Sequence, residues 1–202
     1  LMVRLRLVLL TFVTLGSSRR TRPGVTNVSS TSRSRTIRAN ITKVWDVLAD
    51  FGRLAVWADN ADHTCWLDEP RADGDMIGRA RRVQAKRVVL VETITVWEPP
   101  SRLAYDLGGL PSVVRTAVNE WCLAVDASDP EKTIVTLTTH VDCGPRPPQQ
   151  LIARLVSRRI AGASDVMLAG LERHLTSAAD RSTPAAPPLD AATITDTKGT
   201  TT

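Results

Sequence analysis

Residues 77–107 read IGRARRVQAKRVVLVETITVWEPPSRLAYDL, and apolar side chains alternate with polar ones through most of this stretch. Alternation with a period of two is typical of strands that bury one face. The pattern predicts strands over Ile77–Ala85, Val88–Trp97 and Leu103–Leu107, with Pro99–Ser101 as a turn between the last two. Connections this short predict antiparallel neighbours in one sheet.

The chain continues towards its C-terminus with two more strands and a helix. Val113–Val125 and Thr133–Val141 keep the period of two, and the Gly- and Pro-rich residues 144–148 end the last strand. A long helix is predicted after them, because apolar residues then recur every three or four positions. Its apolar face consists of Ile152, Val156, Ile160, Ala163, Met167, Leu171 and Leu175.

Helical spacing also appears before the sheet. The apolar residues between Ile41 and Phe51 predict a first helix, Leu54–Ala58 predicts a short second one, and Arg33–Arg38 and His63–Leu67 predict short strands. Strands and helices are therefore segregated along the chain, which is typical of the α+β class. We expect a curved antiparallel sheet of about six to seven strands, wrapped around the long C-terminal helix.

Charge divides the 202 residues into three parts. Residues 1–38 hold eight Arg and no acidic residue, whereas residues 39–179 hold 16 basic and 18 acidic groups. Nucleic-acid binders usually carry their basic excess on the folded domain, so no nucleic-acid partner is expected. We predict one folded domain over 33–178, a basic N-terminal arm over 1–32 and a disordered tail over 179–202, because that tail is poor in apolar bulk.

The N-terminal arm has three interpretations. Leu7–Leu15 is apolar and follows two Arg residues, as in a secretory signal or anchor, but it is too short to span a bilayer. In the second interpretation, the gene model extends too far upstream and the true start lies near Val25. In the third, the segment is a functional arm. We expect a cytoplasmic protein without stable membrane insertion; if residues 1–22 are a genuine signal, it is exported or membrane-associated.

Several segments together resemble the SRPBCC superfamily, which includes START domains and pollen allergens. They are Val44–Gly52 with Trp57, Gly78–Val83, Glu92–Ile94 and Trp97–Tyr105. The resemblance is greatest to bacterial polyketide cyclase/dehydrase-like members, and it covers roughly residues 33–178. It implies a helix-grip fold with a deep cavity between the sheet and the C-terminal helix. It leaves function open, because the superfamily contains cyclases, hydrolases, carriers, receptors and co-chaperones.

Alternation of side chains indicates which residues face that space. The inner wall is expected to be apolar, apart from Arg79 or Arg81, Glu92, Tyr105, Asn119 and Thr139. Trp57 is placed near the mouth. The candidate ligand-binding residues are Trp57, Arg81, Val83, Leu90, Glu92, Ile94, Tyr105, Asn119, Trp121, Leu137, Ile160 and Met167.

Arg81 and Glu92 lie on adjacent predicted strands, and each is costly on a buried face unless it is paired. The pair is interpreted as a structural ion pair, as a group that orients a ligand, or as part of a catalytic set. In the abscisic-acid receptors of the superfamily, the matching residues belong to the polar end of the ligand cavity. The site is either desolvated, with the two charges paired, or hydrated. The hydrated arrangement is expected, because the resemblance implies a helix-grip cavity that holds water when it is empty.

Two functions are therefore expected. One is binding or carriage of a small hydrophobic, lipid-like or polyketide-like molecule, because no nucleophile and base are seen together in the sequence. The other is an aromatase/cyclase or dehydrase for a poly-β-keto chain, with Arg81, Glu92 and Tyr105 as candidate catalytic residues. His63 with Asp62 is a weaker acid–base candidate. The scattered His and Cys predict no metal site, no cofactor is expected, and the protein is expected to be a monomer or a weak homodimer.

Overall fold

Seven antiparallel strands form one open, curved sheet in the computed structural model, which describes residues 28–69, 71, 73–144, 149 and 162–177. The order across the sheet is β1-β7-β6-β5-β4-β3-β2. The strands are β1 (Val28–Ile37), β2 (His63–Trp66), β3 (Ala80–Ala85), β4 (Val88–Glu98), β5 (Arg102–Gly108), β6 (Thr116–Asp126) and β7 (Asp129–Asp142). Helix α1 (Ile41–Ala49) and a 3-10 helix (Phe51–Val56) follow β1, and a C-terminal helix, α2, is described over residues 162–177. The helix-grip fold expected from the sequence is confirmed.

Helix α1 begins directly after Asn40, which caps its first turn. The Asn40 side chain accepts a hydrogen bond of 3.0 Å from the backbone N–H of Lys43, which satisfies one of the free donors of the first turn. Val44, Trp45 and Leu48 then bury one face of the helix against the sheet. The spacing of these three residues fixes which side of α1 faces the core.

Strand β1 begins at Val28, five residues before the expected Arg33. Its outer-face hydroxyls bond to the neighbouring strand β7, and the three bonds have lengths of 2.7–2.8 Å. They join Ser30 to His140, Ser32 to Thr138, and Ser34 to Thr136. The strand is held at this end by polar cross-strand pairs, so an apolar pattern could not reveal it.

Strands β3 and β6 also depart from the sequence pattern at one end. Strand β3 begins at Ala80 rather than Ile77, because Gly78 has φ +79 and so interrupts the extended backbone. Alternation along β6 from Ala117 predicts that Val125 faces inward, but Val125 is 48% exposed. The register with β7 shifts between Val125 and Asp126, which turns this end of the strand away from the core.

Helix α2 covers the inner face of the sheet. Its buried residues are Ala163, Ser164, Met167, Leu168, Leu171 and Leu175, and Gly170 passes so close that an added Cβ would lie 2.3 Å from the carbonyl oxygen of Trp57. Arg33 pairs with Asp165 at 3.3 Å, and Arg35 pairs with Glu172, so β1 is tied to the helix at two points. Of the predicted apolar face, Ile152, Val156 and Ile160 lie outside the described residues.

Most of the predictions for the two ends of the chain concern residues outside the described ranges. The predicted arm lies outside the described residues as far as residue 27, and so does the whole of the predicted tail over 179–202. Within the described ranges, no helix combines the length and the apolar character that a membrane crossing requires. The proposed start near Val25 likewise lies outside the described residues.

Candidate functional site

The inner face of the sheet carries a small number of buried polar side chains in an apolar wall. Arg81, Glu92, Thr139 and Thr31 are each no more than 4% exposed, and Tyr105 is 1% exposed. The strand pattern that buries Leu90 and Ile94 also places Glu92 between them on the same face. These polar groups are the chemically distinctive part of the inner wall.

Arg81 and Glu92 form a buried ion pair directly across β3 and β4. The Arg81 Nε and Nη2 atoms lie 2.6 and 2.5 Å from Glu92 Oε2. Arg81 Nη1 also donates to the backbone carbonyl of Phe51, and the guanidinium lies 3.6 Å from the centroid of the Phe51 ring. The side chains are only 3% and 6% exposed, so the geometry favours the desolvated, paired arrangement over the hydrated one.

Tyr105 connects this pair to the middle of the sheet. Its hydroxyl accepts hydrogen bonds of 3.3 Å from Trp121 Nε1 and from Asn119 Nδ2, and Thr139 Oγ1 donates to Asn119 Oδ1 at 2.5 Å. Burial, reinforced by the negative charge of Glu92, raises the pKa of Tyr105 to about 12. The phenol therefore stays protonated at neutral pH and is able to donate a proton or a hydrogen bond.

A small internal cavity lies beside these groups. It has a volume of about 10 Å³, which is room for one water molecule. It is lined by Leu48, Phe51, Leu54, Trp57, Arg81, Leu103, Tyr105 and Trp121. Bulky side chains fill the space around it; Trp57, for example, packs edge-on against Trp121 with 6.1 Å between ring centroids. Within the described residues, the expected deep cavity is therefore not confirmed and stays a prediction.

A groove opens on the other side of Trp57. It has a volume of about 220 Å³ and lies between α1, the 3-10 helix and α2. It is lined by Asp46, Val47, Asp50, Arg53, Val56, Trp57 and His174. Trp57 thus contributes to the walls of both the groove and the internal cavity, in keeping with the expectation that it lies near a mouth.

The candidate residues fall into three groups. Arg81, Tyr105, Trp57 and Trp121 line the cavity, while Glu92 and Asn119 bond to members of that group. The others belong to the surrounding apolar core: Val83, Leu90, Ile94, Leu137 and Met167. Ile160 lies outside the described residues.

Sequence reasoning did not select five residues that belong to this region. Leu48, Phe51, Leu54 and Leu103 line the cavity, and Thr31 is buried on the inner face. The apolar spacing of the first helix was a signal for Leu48, but spacing alone does not show how a helix docks. Nothing in the polar sequence around Thr31 marks it as buried.

The other acid–base candidates lie apart from this site. His63 is exposed, and Asp62 accepts the backbone N–H of Lys86 in the turn between β3 and β4. The three Cys residues are free thiols, and the described residues contain no cluster of His, Cys, Asp and Glu suited to a metal ion. The inner-face groups are therefore the candidate functional site.

A second charged cluster occupies the outer face of the sheet. Glu120 lies 2.5 Å from Arg102 Nε and 3.6 Å from His140 Nε2, and His140 Nδ1 lies 2.7 Å from Ser30 Oγ. The interaction with His140 and then that with Arg102 lower the pKa of Glu120 to about 2, against the opposing effect of burial. These side chains are 22–42% exposed, unlike the buried groups of the inner face.

Comparison with protein families finds a match over residues 29–176 to the family described as polyketide cyclase / dehydrase and lipid transport. Comparison with curated protein sequences finds no match.

Solved structures with the same fold include a START superfamily protein from Mycobacterium smegmatis. It has a TM-score of 0.58 at 12% identity, with 74% of this chain and 98% of that chain covered. The Zhui aromatase/cyclase from a Streptomyces species has a TM-score of 0.55 at 17% identity, with 79% of this chain and 98% of that chain covered. The di-domain ARO/CYC StfQ from the steffimycin biosynthetic pathway gives 0.61 at 12% identity, covering 76% of this chain and 52% of that one. At these identities, the likeness establishes the shared fold.

Proposed function

The chain belongs to the polyketide cyclase / dehydrase and lipid transport family, and from this premise we propose that it binds a small hydrophobic molecule that has one hydrogen-bonding end. The molecule lies between the inner face of the sheet and α2. The observation that carries the proposal is that Arg81 and Tyr105 line a cavity whose other walls are formed by apolar and aromatic residues. Concave apolar sites with a few convergent polar groups are typical of small-molecule binding.

The polar end of the ligand is a carbonyl or carboxylate oxygen. Arg81 has five N–H donors and uses three of them on Glu92 and Phe51, so two remain to donate to a ligand. The protonated Tyr105 hydroxyl lies on the same cavity wall. An oxygen of the ligand takes the place of the single water molecule that the cavity has room for.

The apolar body of the ligand needs more space than this cavity offers, so binding requires a side chain to move. Trp57 is the best candidate, because it lines both the cavity and the outer groove. A rotation of Trp57 joins the two spaces and opens a path from solvent to Arg81 and Tyr105. Ligand binding is therefore expected to change the fluorescence of Trp57 or of its neighbour Trp121.

Native mass spectrometry of the purified full chain tests for a retained hydrophobic molecule. A fluorescence titration with oleic acid then measures binding directly. Tyr105→Phe, which removes one hydrogen-bonding group at the cavity, is expected to weaken oleic acid binding several-fold, by the net value of about one hydrogen bond. Glu120→Gln on the outer face is the matched control and should bind normally. If neither retained ligand nor saturable binding is found, binding of hydrophobic molecules is not the function.

A second function, cyclisation of a poly-β-keto chain, is favoured by the chemistry of the same groups. Arg81 and the protonated Tyr105 are placed to polarise a ketone and to stabilise an enolate, and the Glu92 carboxylate is able to accept the proton that leaves the adjacent carbon. The enolate carbon then attacks the carbonyl carbon of a second ketone and forms the new C–C bond, and Tyr105 protonates the resulting alkoxide. The proton held by Glu92 passes back to Tyr105, and the aldol product then loses water. The wall supplies proximity by holding the chain folded.

Incubation with a poly-β-keto thioester tests this second function. Loss of water from the substrate and the appearance of an aromatic product, followed by mass spectrometry and absorbance, support it. Tyr105→Phe should slow the reaction at saturating substrate. If the thioester binds and no product forms, the protein is a carrier and not a cyclase.

A further inference from the structure

A row of polar side chains crosses the inner face of the sheet with one member on almost every strand. In the β-sheet register, Tyr105 on β5 is opposite Asn119 on β6, Asn119 is opposite Thr139 on β7, and Thr139 is opposite Thr31 on β1. On the other side, the β4 residue opposite Tyr105 is Ile94, and the polar groups resume two positions along β4 at Glu92, with Arg81 opposite it on β3. It therefore runs across the strands from one part of the sheet to the other.

The row separates two apolar clusters. The main core lies on one side of it and includes Leu103, Trp121 and Leu137, the neighbours of the row on β5, β6 and β7. On the other side lies a small cluster of Ala117, Val141 and Cys143, packed by Leu107, Leu110 and Val114. The small cluster is therefore a second buried apolar region, and the polar row borders it along one edge.

Hydrogen bonds run along the row but stop before its last member. Thr139 donates to Asn119, and Asn119 donates to Tyr105. Thr31 is 1% exposed, and its hydroxyl has no hydrogen-bond partner. A buried hydroxyl without a partner is destabilising, and most buried polar groups in proteins are satisfied. Among the described residues the Thr31 hydroxyl is thus left without a partner, which makes it a candidate to bond to a group of a bound molecule.

We propose that Thr31 and Thr139 form a second polar subsite, which takes a hydroxyl or carbonyl oxygen within the chain of the ligand. This inference rests on the proposed function, in which the end of the ligand lies at Tyr105 and Arg81. Three strand spacings of about 4.8 Å separate Tyr105 from Thr31, or roughly 14 Å along the sheet. The ligand is thus an oxygenated chain with two hydrogen-bonding oxygens no more than roughly that far apart, because the Tyr105 side chain reaches towards Asn119. Its apolar body lies against the small cluster.

Oleic acid and ricinoleic acid test the second subsite, because they differ by one hydroxyl group in mid-chain. The unmodified protein is expected to bind ricinoleic acid at least about fivefold more tightly than oleic acid, because one net hydrogen bond provides a gain of about that size. Thr31→Val keeps the shape of the side chain and removes its hydroxyl. It should abolish the preference for ricinoleic acid and leave the affinity for oleic acid unchanged.

The stability of two matched variants gives a second measurement. Thr31→Val should keep or raise the Tm of the ligand-free protein, because it removes an unpartnered buried hydroxyl. Thr139→Val should lower the Tm, because Asn119 Oδ1 loses its donor. If Thr31→Val lowers the Tm and leaves the preference intact, the Thr31 hydroxyl is structural and the subsite is refuted.

The binding results also separate this inference from the function on which it rests. If the unmodified protein binds both acids with equal affinity, the second subsite is wrong and hydrophobic binding stands. If neither acid binds saturably, the proposed function fails and the subsite fails with it.

Discussion

Two arginine–glutamate pairs on opposite faces of the same sheet have nearly the same contact distance and very different surroundings. Arg81 Nε lies 2.6 Å from Glu92 on the inner face, and Arg102 Nε lies 2.5 Å from Glu120 on the outer face. The inner side chains are 3% and 6% exposed, whereas the outer ones are 42% and 22% exposed. Each pair joins neighbouring strands, so the local chemistry is matched and solvent is the main difference.

The difference shows why the inner pair is the informative one. Removing two charges from water carries a large desolvation penalty, and a buried pair offsets it only with good geometry and further hydrogen bonds. Arg81 obtains these from the Phe51 carbonyl and from packing on the Phe51 ring. The outer pair keeps much of its hydration and contributes little to stability. A costly polar group retained in an apolar wall is a reasonable candidate for function.

The largest predicted effect tests whether the inner face is dry. Met167 of α2 is 5% exposed and packs in the main core, so Met167→Asp places a carboxyl group in apolar surroundings. We expect a loss of about 4–5 kcal/mol or more in the free energy of unfolding, measured by urea denaturation. Val166 next to it is 40% exposed, and Val166→Asp is the control that should change stability little. Equal, small effects would mean that α2 does not cover the sheet as described.

The next prediction compares the loss of stability when Glu92 or Glu120 is replaced by Gln. Glu92→Gln leaves Arg81 as a buried charge without its counter-ion and should cost about 3–5 kcal/mol. Glu120→Gln leaves Arg102 in contact with solvent and should cost less than about 1 kcal/mol. Urea denaturation of both variants measures the contrast. A similar, small loss in both would show that water reaches the inner pair and that the hydrated interpretation was right.

Alternation was sufficient to predict that Glu92 lies on the inner face of β4. Leu90 and Ile94 flank Glu92 at a spacing of two, so the parity of one strand placed the carboxylate on the buried side. The position of Arg81 on the adjacent strand then predicted its partner, and the register confirms that the two residues are opposite each other. Such contacts follow from strand order and a short turn, both of which are local features of the sequence.

Other parts of the site depend on tertiary packing. Phe51 contacts Arg81 because the 3-10 helix docks against the sheet, and no local pattern specifies that orientation. Thr31 is buried in a strand whose neighbours are Ser and Arg, so composition indicated an exposed segment. The volume of the cavity likewise depends on how Trp57 and Trp121 pack together, which spacing does not reveal.

A smaller effect concerns Tyr105, which is the one tyrosine of the chain, so tyrosinate absorbance reports on it alone. Its folded pKa of about 12 lies above the usual 10.0, so burial favours the neutral phenol. The corresponding stabilisation is complete below pH 10 and is lost as the pH rises towards 12. We expect the absorbance titration to have its midpoint near 12 in the folded protein and near 10 in urea. A folded midpoint near 10 would place the hydroxyl in water.

Removal of the same hydroxyl gives a related stability change. Tyr105→Phe leaves the buried N–H of Trp121 without its acceptor, so we expect a loss of about 1–3 kcal/mol at neutral pH. The variant should also lack the part of the alkaline destabilisation that comes from the phenol. Unchanged stability at neutral pH would indicate that the N–H of Trp121 finds another acceptor.

The smallest predicted effect belongs to the outer face and appears in acid. Contacts with His140 and Arg102 hold the folded pKa of Glu120 at about 2, below the usual 4.5. A depressed pKa contributes stability above the unfolded value, and this contribution disappears as the pH falls from about 4.5 to about 2. The stability difference between the unmodified protein and Glu120→Gln should therefore shrink across that window. Its size at neutral pH should stay below about 1 kcal/mol, because the side chains keep contact with solvent. Glu131→Gln, an exposed residue of β7, is the control; if it reproduces the same pH dependence, the Glu120 contacts are not its cause.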